Sequence, residues 1–445
     1  MQASETSPAC ATEAMIAREQ ALSRAVLAFV VTGLLFMLLP GTFLGVWNLI
    51  SISSRHELDS MSAAWIQAHG HAQIFGWIGT FIIGIGFYSL SKMGRLPRFA
   101  VRRAWIAWGL WTTGVAMRWA AGITALEWRI ALPLSALLEL SGFVIFFRTV
   151  SGHKADSGSA SRPKPPKQPW MLAIVASTFG FLLTLLLNLV SAFDAAFTQA
   201  TPAIPHALDQ RLLAVPVWAF LVPTVWGFNA RWLPIFLGLR APRGRLLLAG
   251  IVGAFAGVAL SVAGFALAAA TLSVAAAVLA IAALRIFEPA AQPAKINGVH
   301  ASFPLFVRLT YVWLLIAGAL TIWAAAADRA GGIWGASRHA VTVGFLAGMV
   351  FAIGQKILPA FCGARILFNR HAMFASLLLL NVGCALRVAS EIPAYEGFAF
   401  ATVFWQALPV SAVIELSAVT VFAANLLVTF LRPAPHVVAK QRAFA

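Results

Sequence analysis

Twelve stretches of this chain stay mainly apolar for about 20 residues, the length a helix needs to cross a bilayer. They fall at roughly 22–50, 62–90, 101–122, 129–149, 170–193, 210–236, 245–268, 270–287, 304–326, 334–357, 371–390 and 398–430. Within hydrocarbon every backbone polar group must be bonded internally, so runs of this length predict helices. Composition agrees: 60% of the 445 residues are hydrophobic and 11% are charged, too little charge to cover a soluble surface. The expected fold is an all-α polytopic membrane protein in contact with lipid on its outside. The division between the seventh and eighth stretches is the least marked, because "AGFALAAATLSVAAAVLAIAALRIF" offers no clear turn. Residues 1–20 are polar and mix acids with an arginine, so the first stretch reads as a retained helix, not a cleaved signal.

The net charge of +17 sits between the apolar runs, which is a topology signal and not a nucleic-acid face. Lys92, Arg95, Arg98, Arg102 and Arg103 share one loop; Lys154, Arg162, Lys164 and Lys167 share the polar, proline-rich linker "HKADSGSASRPKPPKQP". Arg240, Arg243, Arg245, Arg365 and Arg370 fall on the same side as these. Loops on the other side carry Glu57, Asp59, Glu127, Asp194, Glu391 and Glu396. The positive-inside rule then predicts both termini in the cytoplasm and a multi-pass protein of the cell inner membrane. Cys10, Cys362 and Cys384 form no CxxC and imply neither a disulfide framework nor a zinc site.

The chain repeats itself. "ALPLSALLELS" (131–141) returns as "ALPVSAVIELS" (407–417), and "GVAMR" (114–118) returns as "GCALR" (383–387). His71-Ala72 precedes Gly76 as His339-Ala340 precedes Gly344, with small residues following at 80, 84, 348 and 352. "LPIFLGLR" (233–240) is echoed by "LPAFCGAR" (358–365), and Ala214 stands where the tenth helix has His339. The expected organisation is a first four-helix repeat over 1–150, a cytoplasmic linker over 151–169, a middle repeat over 170–300 and a last repeat over 301–445. Same-sense repeats of this kind predict approximate threefold symmetry about the membrane normal.

Histidine in hydrocarbon is costly unless something binds it. His69, His71 and His339 fall in the outer turns of the second and tenth helices, with Arg118, Arg387 and Arg338 at a similar depth. Two histidines facing one another across a bundle can hold a bis-histidine haem, and arginines suit its propionates. Residues two apart on a helix point about 200° apart, so His69 and His71 do not serve one metal. The repeat pairs His71 with His339 as axial ligands and leaves His69 for a hydrogen bond or a second metal. The alternatives are packing histidines and arginines that snorkel toward the interface. Glu139 and Glu415, also repeat-related, are proton-path candidates, unless they bond Ser135 and Ser411 one turn away and only knit helices together. His206, in "PHALDQR", is either a solvated loop residue or a ligand to a second metal. His56, His153, His300 and His436 carry no argument.

Twelve helices in three quasi-repeats of four, with histidines on the second and tenth, resemble subunit I of the haem-copper oxidases, where the same two helices ligate the low-spin haem. The local words resemble the NnrS family, membrane proteins with haem and copper linked to nitric oxide stress. Its "HAHEMLFGF" is similar to "HGHAQIFGW" at 69–77, and its "HALTVGAIG" to "HAVTVGFLAG" at 339–348. Ala72 and Gln73 depart from the first word. Phe361-Cys362-Gly363 lacks the family's histidine, and Ser337 stands where an oxidase has the second. No histidine on the seventh helix offers a copper site.

The resemblance implies an NnrS-like haem protein in the response to nitric oxide, with one haem of b type near the outer face and copper as a second candidate. A binuclear oxygen-reducing centre does not fit. Two other readings remain: a quinol-linked cytochrome b that passes electrons from quinol or another donor, and a haem-free transporter of an anion or protons.

Overall fold

A computed structural model describes residues 8–57, 60–93, 100–151, 168–363 and 365–432. The linker expected over 151–169 therefore lies almost wholly outside the described residues, as do Asp59, Arg95 and Arg98. Twelve long helices are present and no strand occurs among the described residues. They are α1 (Gln20–Arg55), α2 (Ala63–Tyr88), α3 (Ala100–Thr124), α4 (Trp128–Ser151), α5 (Pro169–Thr198) and α6 (His206–Phe236). α7 (Gly244–Val262), α8 (Ala266–Leu284), α9 (Phe303–Ala327), α10 (Gly332–Phe361), α11 (Arg370–Tyr395) and α12 (Ala401–Leu431) complete the bundle. All but α3 meet the length and hydropathy of a membrane span. α3 carries Arg102, Arg103 and Arg118, yet packs between α1, α2 and α4.

The α7–α8 break lies a few residues earlier than the sequence suggests, at Gly264, whose φ of +90° is one that residues with a Cβ rarely adopt. α11 also runs past its expected end at 390, to Tyr395, with Pro393 inside it. Glu391 consequently belongs to a helix and not to a loop. The outer surface of the bundle carries many exposed apolar side chains, Leu39, Phe179, Val190 and Phe197 all more than half exposed among them.

The repeats have a geometric counterpart. The α3–α4 and α11–α12 hairpins approach closely at Gly114 and Gly383, where a Cβ would fall 2.8 Å and 2.6 Å from the Cγ of Glu139 and Glu415 respectively. Gly76 of α2 lies under the Phe36 ring of α1, as Gly344 of α10 lies under the Trp313 ring of α9. In both places the glycine admits an aromatic ring from the first helix of its own repeat. A π-helical segment follows the corresponding residue of each repeat: Ala72–Gly79 after His71, Val215–Leu221 after Ala214, and Ala340–Ala347 after His339. Such wide turns strain the regular ladder and cluster at functional sites. A fourth, Met37–Phe43 in α1, contains Pro40, which has no N–H to give the ladder.

Candidate functional site

At the end of the bundle where α1 meets α2, called here the histidine end, the sequence-selected residues gather into two polar groups. The first centres on His71, which is 8% exposed. Its Nε2–H donates to Glu139 Oε1 at 2.8 Å, and its ring stacks on Phe75 with centroids 4.3 Å apart. Glu139 is fully buried and its Oε2 accepts from Asn188 Nδ2 at 3.1 Å. Both carboxylate oxygens are thus satisfied by neighbouring helices. Ser135 does not take part: its hydroxyl donates to Leu132 O, as that of Ser411 donates to Leu408 O.

The second group spans α1, α2, α10 and α11. His69 Nδ1 lies 2.9 Å from Gly41 O, and His339 Nδ1 lies 3.0 Å from Gly335 O. A carbonyl oxygen can only accept, so in both rings Nδ1 carries a proton. No hydrogen-bond partner meets either Nε2 among the described residues. Gly45 of α1 makes room for the His69 ring, since a Cβ there would fall 2.6 Å from Cε1. His339 and Arg387 lie within electrostatic reach of His69.

Glu391 binds this group together. Its Oε1 accepts from Arg387 Nη2 at 3.2 Å and its Oε2 lies 3.3 Å from His339 Nδ1. Gly335 leaves space for that carboxylate. Arg387 and Arg118 are each 7% exposed, yet Arg387 Nε and Nη1 and Arg118 Nη1 have no partner. Glu415 Oε1 is likewise buried and unpaired, within electrostatic reach of His339 and Arg387.

Arg338 donates from Nε to Trp334 O at 3.2 Å. With the Gln210 amide oxygen turned toward it, that oxygen accepts from Arg338 Nη2 at 2.9 Å and from His206 Nε2 at 3.1 Å. Asp209 stands within electrostatic reach of Arg118, Arg338 and His206. The start of α6 therefore caps the arginines, and exposed His206 is spent on Gln210. No three His, Cys, Asp or Glu side chains among the described residues assemble into a metal cage.

Sequence reasoning thus named the histidines and arginines but missed four partners. Glu391 carries a readable signal, standing four residues after Arg387, the spacing of a helical ion pair. Asn188, Asp209 and Gln210 carry none that separates them from other polar residues near helix ends. His71 was expected to pair with His339 across a metal. His71 Nε2 is engaged with Glu139, which leaves its Nδ1 without a hydrogen-bond partner among the described residues, and His69 has its Nδ1 on Gly41 O and its Nε2 without one.

A family model described as "Domain of unknown function (DUF8744)" matches residues 178–430. No curated protein matches the chain in sequence. Among solved structures, a haem-copper terminal oxidase dimer determined by cryo-electron microscopy is similar with a TM-score of 0.63 at 14% identity, covering 93% of this chain and 85% of that one. That likeness establishes the subunit I-like architecture expected from the sequence.

Proposed function

We propose that this chain, which belongs to the family described as a domain of unknown function (DUF8744), is a haem-binding membrane protein with one haem between His69 of α2 and His339 of α10. The observation that carries the proposal is the matched state of the two rings. Each gives Nδ1–H to a backbone carbonyl and presents an unpartnered Nε2, the arrangement that fixes an imidazole for ligation. The unpaired guanidinium nitrogens of Arg387 and Arg118 suit the propionates, since a buried cation without a counter-charge is costly. When bound, haem supplies an iron that cycles between ferric and ferrous states.

The residues divide the remaining work. Gly41 and Gly335 hold the two imidazoles by their carbonyls, and Glu391 pairs with Arg387 and lies 3.3 Å from His339 Nδ1. Arg338, capped by Gln210, closes the histidine end against water. The interior toward α6 and α9 is filled by Tyr311, Phe345 and Asn229, with Asn229 donating to the Tyr311 hydroxyl at 2.7 Å. That packing favours a single haem over a two-centre oxidase. A role in nitric oxide or nitrosative stress follows from the resemblance of residues 69–77 and 339–348 to NnrS proteins.

Two other readings use the same residues. An electron-transfer cytochrome b would keep the haem and add a donor, whereas a haem-free transporter would use the arginines and Glu139 as an anion or proton path. The haem content of protein purified from haem-replete cells separates the haem readings from the transporter. One haem per chain is expected; a colourless, folded protein refutes the haem.

A further inference from the structure

Each member of the His71 group has a counterpart in the last repeat. His339 matches His71, and Glu415 matches Glu139. The third member, Asn188 of α5, has its counterpart in α1, where "NLIS" (48–51) echoes "NLVS" (188–191). The bundle closes on itself, so α1 packs against α12 as α5 packs against α4. The register is the same at both seams. Leu49 and Ile52 share an apolar cluster with Leu408 and Ala412, and Leu189 and Ala192 share one with Leu132 and Ala136. Asn48 therefore stands to Glu415 as Asn188 stands to Glu139.

The first group is closed and the second is open. Glu139 accepts from His71 Nε2 at 2.8 Å and from Asn188 Nδ2 at 3.1 Å. In the last repeat Glu415 Oε1 and both amide atoms of Asn48 are buried without a hydrogen-bond partner, which is costly inside a membrane. Asn48 is 5% exposed. The His339 side chain is 29% exposed against 6% for His71, so its ring has room to turn where that of His71 has none.

Three differences between the repeats account for the two ring positions. Gly122 of α3 stands where α11 has Glu391, and Gln67 stands where α10 has Gly335. The last repeat thus has a carboxylate 3.3 Å from His339 Nδ1, an attraction the first lacks. Phe75, which stacks on the His71 ring, is replaced by Val343. His339 accordingly bonds the carbonyl four residues before it, whereas His71 lies on the residue four after it.

We propose that His339 has a second ring position, with its Nε2 within hydrogen-bond distance of Glu415 and with Asn48 bracing that carboxyl, as His71 is held by Glu139 and Asn188. The consequence rests on the haem reading. With the ring on Glu415 the iron keeps His69 alone, and a small uncharged ligand can take the other side. His339 is the exchangeable ligand of the two, because α1 confines the His69 ring at Gly45.

The test begins without haem. The haem-depleted full chain, labelled with 15N in histidine and 13C at the glutamate carboxyl, is placed in lipid nanodiscs for solid-state NMR distance measurement. His71 and Glu139 supply one close Nε2–carboxyl pair as an internal standard. Glu391→Gln removes the charge beside His339 while keeping a partner for Arg387, and a second such pair is expected there. It should vanish when Glu415→Leu is added. The second arm follows carbon monoxide uptake by the reduced, haem-loaded protein. Glu415→Leu should slow uptake about fivefold, the worth of one hydrogen bond; Glu415→Gln, which keeps an acceptor, should recover most of it, and Asn48→Leu should act in the same direction as the leucine at 415. No second pair in Glu391→Gln, no uptake by the wild type, or uptake indifferent to Glu415→Leu would overturn the proposal. The two claims stay separable: a second pair in protein that takes up no haem removes the haem reading and leaves the ring position standing, whereas haem bound without a second pair removes the ring position alone.

Discussion

Gly45→Ala is the smallest change that strikes the proposed site, because α1 approaches the His69 ring with no side chain between. The added Cβ would fall 2.6 Å from Cε1, 2.9 Å from Nδ1 and 3.2 Å from Nε2 of His69, where ordinary contact begins at 3.4 Å. The ring must therefore retreat by roughly 0.8 Å, the shortfall at Cε1. Its 2.9 Å bond to Gly41 O then stretches beyond hydrogen-bonding range. Overpacking typically costs about 1–3 kcal/mol and the lost bond about 0.5–1.5 kcal/mol. A net loss near 2 kcal/mol weakens haem binding about thirtyfold. The assay is equilibrium titration of haem into haem-depleted protein, read by absorbance, with thermal unfolding measured alongside. Gly70→Ala is the control: it adjoins His69 in sequence, yet nothing lies within 4 Å of its would-be Cβ. Equal haem affinity in the two variants, with both folded, would refute the claim that His69 is a ligand held by α1.

Other perturbations bear on separate parts of the account. Glu391→Ala leaves Arg387 buried without its partner and should cost about 3–5 kcal/mol; adding Arg387→Leu should recover part of the loss in a double-mutant cycle of melting temperatures, and strictly additive losses would show that the pair is not coupled. Glu288, in the loop after α8, is held below the usual carboxylate value by its hydrogen bond to Arg285, with Arg243 and Arg240 adding to it. Its contribution is therefore present above the ordinary carboxylate pKa and fades as pH falls through the depressed value, so amide protection in that loop, taken relative to the intrinsic exchange rate at each pH, should fall under acid in the wild type, while Glu288→Gln should show the lower protection at every pH. Reporter fusions after Pro163 and at the C-terminus should both read cytoplasmic, and one after Phe197 external; the opposite pattern would place the histidine end inside the cell.

Much of the architecture is legible in the sequence because hydrocarbon leaves few choices: a long apolar run is a helix, and repeated words such as "ALPLSALLELS" and "ALPVSAVIELS" make repeated hairpins. Their Pro, Ser and Glu positions coincide, and Gly114 and Gly383 seat the two glutamates alike. The candidate site is less legible. Spacing shows that His69 and His71 point apart but not which of them faces α10, since that depends on the rotation of α2 against α1 and α4. The π-helical turns that set that rotation leave no mark in hydropathy. Glu391 reads as a loop acid because the apolar stretch ends near 390, whereas α11 continues to Tyr395 with Pro393 inside it. "PHALDQR" reads as a solvated loop, although it opens α6 and brings Asp209 and Gln210 over the arginines.

The central claim is that one haem joins His69 to His339, and the visible spectrum of reduced protein carrying His69→Ala, His339→Ala or His71→Ala tests it most directly. The account predicts that the first two lose the sharp low-spin bands and that His71→Ala keeps them, since its ring is engaged with Glu139. Low-spin bands that vanish with His71→Ala and persist with His69→Ala would contradict it.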